Sequence, residues 1–176
     1  DILKHIFQEQ ERTEASIRTG AIWAVIAEAM LGFGDKGAEY FRMINPIEHS
    51  RTKEEAKKYK VEPYVMAADI YGGELAGRGG WTWYTGSSSW MYEAGIRYIL
   101  GLNKQGNILK IEPSIPDNWN EYSIQYRYGN SIYNIKVFNN KQKDVKNKKV
   151  YVDGKEMENG EIILQENGGV FNVEIK

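Results

Sequence analysis

The chain has no cysteine and only two histidines, His5 and His49. The first absence removes thiol nucleophiles, disulfides and thiolate metal sites, and it leaves the compartment open. The second leaves no metal-ligand spacing and no Ser-His-Asp set to read, so neither a metal nor a cofactor is expected. No apolar run reaches the ~18 residues of a membrane helix, and the opening DILKHIFQEQ has no signal-peptide pattern. No membrane partner is expected, and the expected location is cytoplasmic. Charge of neither sign dominates: 23 Lys and Arg stand against 24 Asp and Glu, a net charge of −1. That balance argues against a nucleic-acid partner. The one basic run, residues 141–149, reads as a solvated loop between strands. What remains is ordinary globular composition, 41% hydrophobic and 27% charged over 176 residues, enough for one domain or two small ones. The first residue is Asp1 rather than Met, which fits a processed product or a piece of something larger.

The first hundred residues carry helical periodicity. Residues 1–18 are polar, with a weak pattern in Ile2, Ile6 and Phe7. In residues 21–31, AIWAVIAEAML, one helical face carries Trp23, Ile26, Ala27, Met30 and Leu31. Ile22, Val25 and Ala29 make a second, and Glu28 is the lone charge. A helix apolar nearly all round must be covered on most sides. Gly32 and Gly34 supply its end, and Asp35 is placed to cap a second helix over 36–44, making an αα-hairpin. Residues 48–60 read as charged loop with a helical turn. Pro63 suits the first turn of a third helix over 64–71, and Ser87, Ser88 and Ser89 can cap a fourth that runs to about Leu100.

From Asn107 the period drops to two. Strands are expected at 108–111, 122–128, 132–138, 150–152, 155–157, 161–165 and 170–175, with hairpin turns at Gly129-Asn130 and Asp153-Gly154. The fold class is α+β: a helical segment, residues 1–104, followed by a C-terminal antiparallel β-sandwich, residues 105–176.

Residues 63–102 hold most of the chemistry. Three of the five tryptophans, Trp81, Trp83 and Trp90, fall there among glycines, small hydroxyls and Arg78. The run Thr85-Gly86-Ser87-Ser88-Ser89 opens a helix, where unsatisfied N–H groups and the positive dipole end favour an anion. Those hydroxyls either help hold such an anion or simply cap the helix. The tryptophans either stack on sugar rings or pack between helices. Arg78 either pairs with phosphate or carboxylate or ties down the loop's own carbonyls. Glycoside chemistry needs paired carboxylates, and Glu62, Asp69 and Glu74 are the acids nearby, without a convincing pair among them.

Five stretches resemble one known family: INPIEHSRT (44–52), YKVEPYVMAADIYG (59–72), GRGGWTWYTGSSSWMY (77–92), ILGL (99–102) and LKIEPSIPDNWNEYSIQYRYGNSIYNIKV (109–137). They are similar to glycoside hydrolase family 94, formerly glycosyltransferase family 36, the cellobiose and chitobiose phosphorylases and cyclic β-1,2-glucan synthases. The similarity covers roughly residues 19–176. It implies that residues 1–104 are the last helices of an (α/α)₆ barrel and that a β-sandwich closes the protein. It further implies inverting phosphorolysis of a β-glucoside, in which phosphate attacks the anomeric carbon while an aspartic acid protonates the leaving oxygen. Thr85 and Gly86 match the family's phosphate-binding Thr-Gly pair, and Arg78, Trp81, Trp83 and Ser87 are the accompanying substrate-binding candidates. The general acid lies upstream of the matched part, so no catalytic residue is assigned and the chain alone is expected to be inactive. Where the family carries a phosphate-binding histidine in a motif close to ENGGQYTHA, this chain reads TEASIRTGA with Gly20 at that place, and Arg18 is the substitute cation nearby. Residues 1–18 do not match clearly, which fits a disrupted or split gene. The expected partners are a β-glucoside and inorganic phosphate, with a homodimer or the missing part of the barrel covering the helices. The alternatives are a non-catalytic carbohydrate-binding module and a structural subunit of a split barrel.

Overall fold

The computed structural model describes residues 16–139 and 148–176. The pattern in Ile2, Ile6 and Phe7 lies outside them, as do the side chain of Arg18 and the basic run 141–149 apart from Lys148 and Lys149. The chain divides into two compact units, Asp1–Ile96 and Arg97–Lys176. The described part of the first is mainly helical and the second is built of strands, the expected α+β class.

In the first unit, helix α1 (Ser16–Met30) turns through residues 31–33 into α2 (Gly34–Ile44), giving the expected αα-hairpin. Gly32, at φ 81, takes the left-handed geometry that ends a helix. Asp35 does not cap α2. The helix starts two residues earlier than expected, Phe33 holds the cap position without a side-chain bond, and Asp35 lies in the first turn, where its charge still opposes the dipole favourably. Helix α1 buries Ala21, Ile22, Val25, Ile26 and Ala29, and packs on α2, whose Tyr40 and Ile44 are buried. Its other apolar stripe is bare: Trp23 is 54% and Met30 73% exposed, with Ala27 exposed between them. The expectation that most sides of this helix are covered is therefore not met among the described residues.

Helix α3 (Lys53–Tyr59) replaces the expected helical turn and is closed by a capping box. Thr52 Oγ1 accepts from the Glu55 N–H at 3.2 Å, and Glu55 Oε2 accepts from the Thr52 N–H at 2.9 Å. The helix expected over 64–71 does not form. Val65, Met66, Ala67 and Ala68 are all buried, and such a run without period suits a covered extended segment as well as a helix. Its backbone bonds outward: the Ala68 N–H donates to the Gly80 and Trp81 carbonyls at 3.2 and 2.9 Å, and the Met66 carbonyl accepts from the Tyr84 N–H at 3.0 Å. Strand β1 (Asp69–Ile70) then pairs antiparallel with β2 (Gly79–Gly80). Helix α4 (Thr85–Glu93) opens near the expected place but is not α-helical to Leu100; it widens over Ala94–Ile99 into a π-helical segment. Ala94 and Ile99, five residues apart and so one π repeat, are both buried.

In the second unit, β3 (Leu102–Gln105), β4 (Ile108–Ile111) and β9 (Ile162–Ile163) form one sheet, both of whose pairings are antiparallel. The larger sheet holds β5 (Glu121–Tyr128), β6 (Ser131–Phe138), β7 (Val150–Val152), β8 (Lys155–Glu156) and β10 (Val170–Ile175) in the order β5-β6-β10-β7-β8. Both expected hairpins form. Tyr128 faces Ser131 across a loop begun by Gly129 at φ 55. Val152 faces Lys155 across Asp153 and Gly154, both at positive φ as a type I′ turn requires. One pair departs from the antiparallel expectation: β10 runs parallel to β6, Val170 opposite Ile132 through Ile175 opposite Val137. Because β10 enters between β6 and β7, it has no hairpin partner next to it in sequence to set its direction. Both sheets contribute to one apolar cluster, Leu109, Ile111 and Ile162 from the smaller and Tyr133, Ile135, Val137, Val173 and Ile175 from the larger. Tyr133 also accepts the Gln165 N–H at 2.7 Å and stacks on Phe171. Tyr122 donates to the Leu100 carbonyl at 2.6 Å, and its burial pushes the phenol well above its ordinary pKa.

Candidate functional site

The glycine-rich stretch is an arm of the β1–β2 hairpin, and packing dictates its glycines. Asp69 faces Gly80 and Ile70 faces Gly79. A Cβ on Gly79 would stand 2.5 Å from Val61 Cγ2 and 2.8 Å from Tyr59 Cε2. One on Gly80 would meet the Tyr71 phenol and stand 2.7 Å from Asp69 Oδ1. All three distances are below what real Cβ contacts reach, so only glycine lets this arm lie on Tyr59, Val61 and Tyr71. Arg78 is exposed; its backbone is held by Tyr71 and Leu75, while its guanidinium forms no ion pair among the described residues. Asp69 Oδ1 is enclosed beside Gly80 without a hydrogen-bond partner among the described residues. Glu74 lies in a 3₁₀ turn (Gly73–Leu75) at the hairpin tip and is exposed. Glu62 precedes the buried run, and its carbonyl accepts from the Val65 N–H.

Beyond β2 the backbone twists twice into the left-handed region, at Trp81 (φ 51) and Trp83 (φ 61). For residues this bulky each costs about 1–3 kcal/mol, and hydrogen bonds from the buried 65–68 run hold the loop at both ends. The result turns the indoles outward: Trp81 is 79% and Trp83 61% exposed, with Tyr64 edge-on to Trp83 at 6.3 Å. Trp90 is partly covered, edge-on to Trp23 at 6.0 Å.

Helix α4 begins directly after this loop. Thr85 and Gly86 are exposed in its first turn, no side chain caps it and no acidic residue stands in that turn. A Cβ on Gly86 would meet nothing within 4 Å. The three serines do not cap the helix as the sequence suggests. Ser88 and Ser89 donate back to the Tyr84 and Thr85 carbonyls, the i−4 bonding typical of hydroxyls inside a helix. Ser87 is fully buried, and its hydroxyl lies 2.9 Å from Thr19 Oγ1. That bond brings the start of α4 to the first turns of α1, so Gly20 and Gly86 each sit one residue from the same contact. Gly20 is exposed, and a Cβ there would also meet nothing within 4 Å. Thr19 escapes sequence reading, because it lies 68 positions from Ser87 and no periodicity links them. Among the described residues no group of three or more His, Asp or Glu is placed to hold a metal ion.

An anion-competent helix start beside exposed indoles suits a carbohydrate-active protein, and comparison with known sequences agrees. The sequence model of the glycosyl hydrolase 94 superfamily, catalytic domain, matches residues 7–101. The chain belongs to this family. The match begins at residue 7, so most of the stretch that looks unrelated by eye lies within it. The chain is 48% identical over 118 residues to the cyclic beta-(1,2)-glucan synthase NdvB of Rhizobium meliloti, covering 66% of this chain and 4% of that protein. It is 32% identical over 119 residues to the N,N'-diacetylchitobiose phosphorylase of Vibrio furnissii, 66% of this chain and 14% of the relative. To the solabiose phosphorylase of Paenibacillus borealis it is 27% identical over 146 residues, 78% of this chain and 18% of the relative. It thus spans between 4% and 18% of the length of these relatives. No helix among the described residues is long and apolar enough to cross a membrane.

Proposed function

We propose that the chain is the C-terminal part of a glycoside phosphorylase or related glycosyltransferase, with residues 1–104 the last helices of an (α/α)₆ barrel and residues 105–176 the closing β-sandwich. Its substrates are a β-glucoside and inorganic phosphate. Thr85 and Gly86 form the phosphate wall, Ser87 supports it from beneath, and Arg78, Trp81 and Trp83 border the sugar. One observation carries this reading: an uncapped, solvent-facing helix start, Thr85-Gly86, in the part that matches the family's catalytic domain. First-turn N–H groups and the helix dipole stabilise an anion there, and Gly86 leaves room for its close approach. Proton delivery to the leaving oxygen is a separate requirement. Asp69 is tucked beside Gly80 and Glu74 stands at a hairpin tip, so neither is assigned that task, and the chain alone does not turn over. Calorimetry with phosphate on the wild type and on Thr85→Val, beside a cellobiose phosphorolysis assay, tests both halves. Phosphate heat that Thr85→Val abolishes, without phosphorolysis above blank, is expected. Turnover by the chain alone, or equal heats from both proteins, contradicts the reading.

A second reading, a subunit whose helices complete a barrel with another chain or a second copy, is favoured by the bare stripe of α1 and the turn that follows it. Trp23, Met30, Leu31 and Phe33 are each more than half exposed, the mark of a surface made for a neighbour. Light scattering decides it: a dimer or a captured partner supports it, and a monodisperse monomer contradicts it.

A further inference from the structure

We propose that the hydroxyl pair of half-buried Thr19 and buried Ser87 is a positioning clasp that fixes the start of α4 against α1 and thereby sets the affinity of the Thr85-Gly86 wall for phosphate. The inference rests on the reading of that wall as phosphate-binding. Ser87 is fully buried, yet nothing in packing asks for a hydroxyl there. Alanine is close to it in size and prefers a helix, whereas a buried hydroxyl is costly unless it is bonded. Ser87 is bonded, and to a different helix: Thr19 Oγ1 lies 2.9 Å away. Its neighbours Ser88 and Ser89 both bond back within their own chain segment, so Ser87 is the one hydroxyl of the serine run that reaches across. The clasp is flanked in sequence by two open glycines, Gly20 following Thr19 and Gly86 preceding Ser87, and a Cβ at either would meet nothing within 4 Å. A small anion can therefore approach the first-turn backbone of α4 at Gly86. Hydrogen bonds from a first turn to such an anion weaken steeply with angle and distance, so what fixes the start of α4 fixes their strength.

The test uses the full chain with Ser87→Ala, Thr19→Val, the double variant and the hydroxyl-keeping Thr19→Ser. The dissociation constant for inorganic phosphate is measured, together with ¹⁵N order parameters at Thr85 and Gly86 in phosphate-free buffer. Each single variant removes the same bond, so each weakens phosphate binding by about fivefold, the double variant by no more, and Thr19→Ser keeps the wild-type value. The order parameters fall in the first three and hold in Thr19→Ser. Additive losses, unchanged affinity in Ser87→Ala, or equal damage from Thr19→Ser and Thr19→Val overturn the clasp. If the wild type binds no phosphate, the phosphate reading falls, and the order parameters alone decide whether Thr19 and Ser87 position α4.

Discussion

Gly20 stands where the family resemblance calls for a phosphate-binding histidine, and the structure makes Gly20→His an informative change. Gly20 is exposed within α1, and a Cβ there meets nothing within 4 Å, so the imidazole enters without a clash. Replacing a helical glycine recovers about 0.3–0.5 kcal/mol of helix propensity, which raises Tm by about 1 °C for a chain of this length. The larger effect is on phosphate. An imidazolium one residue from the Thr19–Ser87 contact can donate a charge-assisted hydrogen bond to an anion at Thr85-Gly86, worth about 1.5–3 kcal/mol. That is about ten- to a hundredfold in affinity. The charged form is required, so the gain is full below the ordinary imidazole value of about 6.5 and fades as pH rises past it. A ³¹P titration of wild type and variant at acid and alkaline pH reads this directly. Unchanged affinity at acid pH, or the same gain at both, refutes the idea that Gly20 and Thr85-Gly86 border one anion site.

Other changes separate packing glycines from open ones. Gly79→Ala drives a methyl into Val61 and Tyr59 and is expected to cost about 1–3 kcal/mol, seen as a lowered denaturation midpoint. Gly86→Ala meets nothing, so the fold is at least as stable while phosphate binding weakens; a destabilised Gly86→Ala argues against the open helix start. In the strand unit, Tyr122→Phe strips the Leu100 carbonyl of its donor and is expected to cost about 1–3 kcal/mol. The raised phenol pKa also gives a pH signature. The folded chain keeps the proton that the unfolded chain releases near the ordinary tyrosine value, so this stabilisation is complete below about pH 10 and is lost as pH climbs beyond it. Denaturant melts on the alkaline side should show that loss in the wild type and less of it in Tyr122→Phe.

Strands β5, β6, β7 and β8 were legible from sequence because two signals coincide there, alternation and a Gly-Asn or Asp-Gly turn. Strand β10 pairs with a chain-distant strand, so its existence could be read but its parallel direction could not. Strand β3 was missed because Leu102 is its only apolar residue. The run Val65–Met66–Ala67–Ala68 misled for the opposite reason, since every residue is buried and nothing alternates. At the candidate site the helix opens at Thr85 with Tyr84 at the cap position, whereas the sequence marks the right run but expects Ser87, Ser88 and Ser89 to cap it. It could not reveal that Gly79 and Gly80 serve contact with Tyr59, Val61 and Tyr71, or that Ser87 turns inward to Thr19. Both facts belong to tertiary contacts with residues far off in the chain.

The central claim is that the exposed first turn of α4 holds phosphate. Two-dimensional ¹H–¹⁵N spectra of the labelled chain, recorded as inorganic phosphate is added, test it at single residues. The account predicts saturable shifts at the amides of Thr85 and Gly86, with Gly20 responding and strands β5 and β6 silent. Saturation elsewhere with Thr85 and Gly86 unmoved would contradict it.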